Sequence, residues 1–348
     1  MALALMLGRQ GLGRVAPNPS VGCVIVRDGI IVGRGRTADG GRPHAEVVAL
    51  AQAAKAAKGA TAYVTLEPCS HHGKTGPCAQ ALVAAGVTRV VVATSDPDPR
   101  VSGAGLRMLR DAGLQVDVGL MRDQADTDHA GFFLTQRAGR PFVTLKLAMT
   151  LDGRIATSIG DSQWITGSQA RRMVHAMRAR HDAVLVGGGT VRVDDPTLTV
   201  RGLGVGYQPA RAIVSNSELI APNLAASAEA GPVYHCHGPG VTSPDWAIGI
   251  PCTMEGAEVD VKSALAGLSS AGLTRVFCEG GGRLAASLMS AGLVDELICF
   301  YGGAIIGGDG LASLGAFGMT HLNQAPRFSL IEQATIGGDV MQRWVRRL

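Results

Sequence analysis

Two apolar runs flank Asp28-Gly29 in "VGCVIVRDGIIVGRG" (21–35), which predicts a pair of strands around a tight turn. "HAEVVALAQAAKAAKG" (44–59) then reads as an Ala-rich helix stopped by Gly59, and "ATAYVTL" (60–66) as a strand. A helix at about 78–85, a buried strand "RVVVAT" (89–94) and a helix from Gly103 to Asp111 continue the alternation, which predicts a sheet covered by helices. After "RAGRP" the pattern restarts: strand "FVTLKLAM" (142–149), helix "SQARRMVHAMRA" (168–179), strand "DAVLVGG" (182–188), and strands near 211–215 and 232–236. A strand-loop-helix, "RVFCEGGGRLAASLMSAG" (275–292), precedes the strand "ELICFYGG" (296–303). No internal repeat is visible, and the restart places a domain boundary at about 139/140, giving domains 1–139 and 140–348.

Composition agrees with two globular α/β units. The 348 residues exceed what one core usually organises, and 46% are hydrophobic and 17% charged. Net charge is +4, from 32 Lys and Arg against 28 acids, with the basic residues scattered, so a dedicated nucleic-acid surface is not expected. The seven cysteines are odd in number and lack a framework spacing, which points to a reducing, cytoplasmic setting. No stretch approaches the roughly 18 apolar residues of a spanning helix, so neither export nor membrane insertion is expected.

The loop "LEPCSHHGKTGPC" (66–78) and the neighbouring "PHAEV" carry the candidate chemistry. His44, Cys69 and Cys78 supply one imidazole and two thiolates, three of zinc's four positions, and leave the fourth for water. Glu46, two positions after His44, can face that open position and move protons without being a ligand. Two blander readings stay open: a closed structural site with His71 or His72 as fourth ligand, and a redox pair. The second lacks C-x-x-C spacing, and the first gives no reason for Glu46.

The His44-Ala45-Glu46 and Pro68-Cys69 segments resemble the zinc-dependent cytidine-deaminase superfamily, with H-x-E and P-C-x-x-C signatures. The departure is the interval before Cys78, where eight residues, "SHHGKTGP", replace two. With "APNPSVGCVIV" upstream, this long variant resembles the deaminase half of the bifunctional riboflavin-biosynthesis deaminase-reductases. The resemblance implies substrate contact for Asn18, whose amide can read a pyrimidine edge, and for His71 and Lys74, which can meet a phosphate. Each of these three residues also reads as ordinary turn chemistry. Glu67 reads as a loop-orienting residue.

"LKLAMTLDGRIA", "SQWIT", "GGGTVRVDDPTLTVR" and "FCEGGGRLAASL" are individually weak, but in this order they resemble the reductase half of the same family. The implied fold class is α/β: a cytidine-deaminase-like three-layer domain followed by a dihydrofolate-reductase-like domain. The Gly-rich turn opening a helix can hold a dinucleotide phosphate, which assigns Gly281, Gly282, Arg283 and Ser287 to NADPH. The family pattern adds Ala148, Trp164, Thr190, Asp194 and Ser217 for NADPH, and Ser162, Arg178, Leu198, Arg201 and Glu279 for substrate. Arg178 also reads as part of a solvated charged face with Arg171, Arg172 and Arg180, Trp164 as core, and Asp194-Asp195-Pro196 as a turn.

The resemblance implies two cofactors, zinc and NADPH, and two consecutive reactions on a small phosphorylated pyrimidine. It also implies a homo-oligomer, dimer or tetramer. A deaminase of nucleic-acid bases with an unrelated appended domain, and a zinc scaffold without activity, are the alternatives. No concentrated basic or aromatic strand-binding segment supports the former.

Overall fold

The computed structural model describes residues 1–71, 76–97 and 102–347, and the chain divides into two compact units, Met1–Gly139 and Arg140–Leu348. In the first, β1 (Gly22–Arg27), β2 (Ile30–Arg36), β3 (Thr61–Val64), β4 (Arg89–Val92) and β5 (Gln115–Val118) form one sheet in the order β2-β1-β3-β4-β5. β1 runs antiparallel to β2 and β3, and β3, β4 and β5 are parallel. The hairpin turn is the predicted one: Asp28 (φ 51°) and Gly29 (φ 77°) are both left-handed, as a two-residue turn between twisted strands requires.

Alternate residues of β1 serve opposite faces. Cys23 and Ile25 join a core with α2 (Ala45–Ala53), α3 (Cys78–Ala84) and α4 (Ala104–Asp111). On the other face Gly22 lies against α1 (Ala2–Arg9), so close that a Cβ there would sit 1.8 Å from the Ala4 carbonyl oxygen. α5 (Arg122–Ala138) packs beside α1 through Leu5 and Ala125. Helices thus cover both faces, the three-layer arrangement of a cytidine-deaminase-like domain. The predicted helix 44–59 is shorter than expected: it ends at Ala53, and Ala54 (φ 47°) breaks the chain into a 3₁₀ turn, Ala54–Ala57, that returns Ala57 to the core.

The second unit holds a nine-stranded sheet flanked by two small ribbons. Its strands in chain order are β6 (Phe142–Thr150), β7 (Arg154–Ala156), β8 (Ala183–Gly187), β9 (Ala210–Val214), β10 (Val233–His237), β11 (Ile248–Pro251), β12 (Met254–Glu255), β13 (Glu258–Val259), β14 (Arg275–Gly280), β15 (Glu296–Gly302), β16 (Leu311–Ala312), β17 (Phe328–Ile336) and β18 (Asp339–Arg346). The large sheet has the order β11-β10-β9-β8-β14-β6-β15-β18-β17, while β12 pairs β13 and β7 pairs β16. Strands β11 through β15 in that order are parallel, and β18 and β17 add an antiparallel hairpin.

Side-chain parity again sorts two layers. Ala183 and Leu185 of β8 face the core under α9 (Val261–Ser270) and α10 (Gly282–Ser290). Val184 and Val186 face Val191 of α7 (Gly188–Asp194) and Leu224 of α8 (Pro222–Ala226). α6 (Ser168–Arg178) covers Phe277, Ile298 and Phe300. The mixed sheet with helices on both faces is the dihydrofolate-reductase-like architecture. Among the described residues no helix is long and apolar enough to cross a membrane.

One contact governs where the first candidate site forms. α2 lies against β2 at two glycines: a Cβ on Gly33 would fall 2.2 Å from the Ala49 carbonyl oxygen, and one on Gly35 2.6 Å from that of Ala45. Backbone cannot yield as a flexible side-chain end can, so Gly35→Ala is expected to push the start of α2 off the sheet. The predicted loss is about 1–3 kcal/mol in urea unfolding, the range of overpacking. An unchanged midpoint with unchanged slope would show that the contact has slack.

Candidate active sites

His44 is the N-cap of α2, with an extended backbone, and its imidazole makes no capping bond. It turns instead to the cysteines: Nδ1 lies 3.3 Å from Cys78 Sγ and 3.7 Å from Cys69 Sγ. Cys78 opens α3, and its N–H donates to Cys69 Sγ at 3.3 Å. The three donor atoms fall within 4.8 Å of one another. Ligands at zinc–nitrogen and zinc–sulfur bond lengths span tetrahedral edges of about 3.6 Å, so this donor set fits zinc in both chemistry and spacing. Among the described residues His71 is not part of the group; His72 lies outside them. The ionisable groups also pull on one another. Cys69 is drawn down to about 4, by its hydrogen bond to Cys78 and then by His44, while Cys78 is pushed up by Cys69 and by burial.

Glu46 stands in the first turn of α2, only 3% exposed. Burial raises its carboxyl to about 7 against the opposing pull of a backbone hydrogen bond, and the Cys69 charge raises it further. A carboxyl so placed can hold or release a proton near neutrality. It lines a cavity of about 230 Å³ together with His44, Cys69, Asn18 and His71. Asn18 is held by a tight fit, because a Cβ on left-handed Gly41 (φ 85°) would fall 2.0 Å from its Nδ2. Lys74 lies outside the described residues.

Glu67 is buried and accepts hydrogen bonds from the backbone N–H groups of Asp96, Gly103, Gly105 and Leu106, at 3.1–3.4 Å. It thereby ties the cysteine loop to the start of α4. Gly105 permits the approach, since a Cβ there would lie 2.0 Å from the Pro68 carbonyl oxygen. The cavity also includes Thr37, Arg42, Asp96, Phe132 and Gln136, which the sequence reading missed. Phe132 and Gln136 are one helical turn apart on α5, a spacing that could have drawn attention to them.

In the second unit Ala148, Thr190, Ser217, Glu279 and Gly281 lie near or just beyond the C-terminal ends of parallel strands, where open α/β sheets bind ligands. Gly281 (φ 82°) caps α10 directly after β14, and a Cβ on it would lie 3.0 Å from Thr190 Oγ1 on α7. Ser217 follows β9 and accepts from Arg192 Nη1 at 3.0 Å. Asp194, the last residue of α7, is exposed, and so is Arg283; Ser287 is half-buried on α10 and donates to the Arg283 carbonyl oxygen. Trp164 is 68% exposed, which excludes the core reading, and the Arg171 guanidinium stacks 4.3 Å from its ring centroid. Ser162, two residues before it, is half-buried, as is Ala148 on β6.

Arg178 is not on a solvated face. Its guanidinium is 12% exposed and grips Glu279 through Nε and Nη2, while Nη1 donates to the Thr199 carbonyl oxygen at 2.8 Å. Burial works against the Glu279 carboxylate, but Arg178 outweighs it and leaves the group below its usual range. Lys146 stands beside the pair; burial lowers its ammonium, and the Glu279 charge opposes that shift. Arg201 joins the same neighbourhood through its N–H, which donates to His175 Nδ1 at 3.2 Å. Leu198 is 3% exposed within an aliphatic cluster, and its backbone is left-handed (φ 55°). Asp195 is a turn residue (φ 37°) that accepts from the Asn223 N–H.

Comparison with known proteins covers both units. A family model for the cytidine and deoxycytidylate deaminase zinc-binding region matches residues 1–94, and one for the RibD C-terminal domain matches residues 141–341. The riboflavin biosynthesis protein RibD of Escherichia coli (strain K12) is 41% identical over 355 residues, covering 98% of this chain and 96% of that protein. RibD of Haemophilus influenzae is 42% identical over 98% of this chain and 95% of that protein. Among solved structures, Acinetobacter baumannii RibD (form 1) superposes with a TM-score of 0.88 at 38% identity, covering 100% of this chain and 98% of that one. A Thermotoga maritima diaminohydroxyphosphoribosylaminopyrimidine deaminase/5-amino-6-(5-phosphoribosylamino)uracil reductase gives 0.88 at 34% identity, covering 100% and 97%. With a zinc-fitting His-Cys-Cys group in one unit, a reductase-type sheet in the other and similarity over the full length, the chain belongs to the RibD family of bifunctional deaminase-reductases of riboflavin biosynthesis.

Proposed function

We propose that residues 1–139 deaminate 2,5-diamino-6-(5-phosphoribosylamino)pyrimidin-4(3H)-one and that residues 140–348 reduce the ribosyl group of the product, giving 5-amino-6-(5-phosphoribitylamino)uracil. The observation that carries this reading is the buried Glu46 carboxyl in a cavity shared with His44 and Cys69, two of the three grouped donors His44, Cys69 and Cys78. Zinc bound by those three residues would supply an activated water at neutral pH. Glu46 takes up a proton and delivers it to the departing amine. Asn18 reads the pyrimidine edge, and His71 with Lys74 meets the phosphate. The assignment of Lys74 rests on the family pattern alone.

For the second step, bound NADPH supplies the hydride, and the chain holds cofactor and sugar in register. Gly281, Gly282, Arg283 and Ser287 take the pyrophosphate at the start of α10, with Ala148, Trp164, Thr190, Asp194 and Ser217 along the rest of the cofactor. Ser162, Arg178, Leu198, Arg201 and Glu279 face the sugar phosphate. All seven cysteines are free, which suits a reducing, cytoplasmic setting, and the assembly proposed is a homo-oligomer, dimer or tetramer.

Glu46→Gln is expected to retain zinc and abolish ammonia release, since the amide keeps the shape and cannot carry the proton. The same variant should oxidise NADPH almost normally when given the deaminated ribosylamine. Parallel ammonia and nicotinamide-absorbance assays check both halves, and near-normal ammonia release from a zinc-loaded variant would refute the role. Cys69→Ser and Cys78→Ser should each lose metal by elemental analysis, because a hydroxyl is a poor substitute for thiolate. Gly41→Ala should keep zinc but raise KM for the diaminopyrimidine, because the new methyl displaces Asn18. An unchanged KM would remove Asn18 from pyrimidine recognition.

A further inference from the structure

The Arg192 guanidinium is built into a small polar cluster at the ends of β8 and β9. Arg192 is exposed on α7 and donates through Nη1 to Ser217 Oγ at 3.0 Å, and Ser217 Oγ lies 3.0 Å from Ser215 Oγ. Ser215 is 7% exposed. Gly188 leaves the room for this packing: a Cβ there would fall 2.4 Å from Ser215 Oγ and 3.2 Å from Arg192 Nη1. Among the described residues no carboxylate comes within 4 Å of Arg192, including Glu218 beside Ser217, whereas Arg140, Arg178 and Arg343 of the same unit each grip one. The cluster therefore offers a guanidinium fork and two hydroxyls with no anion of the protein's own to satisfy them.

We propose that Arg192, with the Ser215 and Ser217 hydroxyls, binds the phosphomonoester on the adenosine ribose of the dinucleotide and so selects NADPH over NADH. The inference rests on the reductase reading above and adds the residues that discriminate between cofactors. Position supports it. From Ala148 on β6 the sheet runs through β14, with Gly281 at its end, and β8, with Thr190 after it, to β9 and Ser217. Three strand spacings are about 14 Å, a distance an extended dinucleotide can bridge from its nicotinamide to its adenosine ribose. A dianionic phosphate accepts two parallel N–H bonds from a guanidinium, which a ribose hydroxyl cannot do. Because Arg192 is open to water, NADH leaves it hydrated at little cost.

The test is steady-state reduction of the deaminated ribosylamine by the full-length protein with each dinucleotide. Arg192→Leu should raise KM for NADPH roughly 10- to 100-fold, the worth of hydrogen bonds to a charged group, while KM for NADH stays within about twofold. Arg192→Lys should recover part of the preference. A second measurement does not depend on any variant's folding: 2′-AMP should compete with NADPH in the wild type far better than 5′-AMP. An unchanged NADPH/NADH ratio in Arg192→Leu, or equal inhibition by the two nucleotides, would overturn the proposal and leave the reductase reading intact. A wild-type protein that oxidises neither dinucleotide would overturn both.

Discussion

The close approach of α2 to β2 is the constraint on which the first site depends. Two glycines, Gly33 and Gly35, let helix backbone rest on strand backbone, and the helix start is thereby fixed relative to the sheet. His44 and Glu46 occupy that start, so their reach into the cavity is set by backbone packing and not by side-chain flexibility. The cysteines are fixed from the other side. Cys78 opens α3, and the Cys69 loop is tied through Glu67 to the N–H groups at the start of α4. A site that must hold donors to within about half an ångström needs such rigid support on every side.

The same arrangement explains the electrostatics. Glu46 and Glu67 are both carboxyls, equally buried at 3% exposure. Glu67 is engaged by four backbone donors, whereas Glu46 has Cys69 as a charged neighbour and is raised to about 7. Environment therefore separates one carboxylate that pins the loop from one able to exchange a proton near neutrality. Sequence position alone suggested this division, and the hydrogen bonds supply its cause.

The short-range signals were legible where they depend on local chemistry. The Asp28-Gly29 turn, the alternation of strands and helices and the His-x-Glu and Pro-Cys segments all depend on residue type at fixed spacing. What escaped depends on distant partners. α5 buries Ala125, His129 and Phe133 on one stripe, but the histidine at its centre interrupts an apolar pattern that would have marked the helix. In the structure that imidazole meets Thr65 Oγ1 at 3.2 Å, from 64 residues away. Ala54 has no glycine or proline to announce its left-handed kink. The burial of Arg178 was equally hidden, because four arginines on or beside one helix look like a solvated face until Glu279, 101 residues on, arrives to pair with one of them.

The two units use charge differently. In the first, ionisable groups are displaced from their ordinary ranges and left next to a cavity, which suits a reaction whose hard step moves protons. In the second, Glu279 and Arg178 neutralise each other, and Lys146 is pushed down by burial while the Glu279 charge holds it back. The pair fixes β14 to α6. Hydride transfer asks less of a protein's acids and bases than of its geometry, since the electrons come from the nicotinamide and the rate depends on approach and alignment. A sheet whose strand ends carry glycine turns and hydroxyls, with Arg178 and Glu279 already paired, suits that requirement.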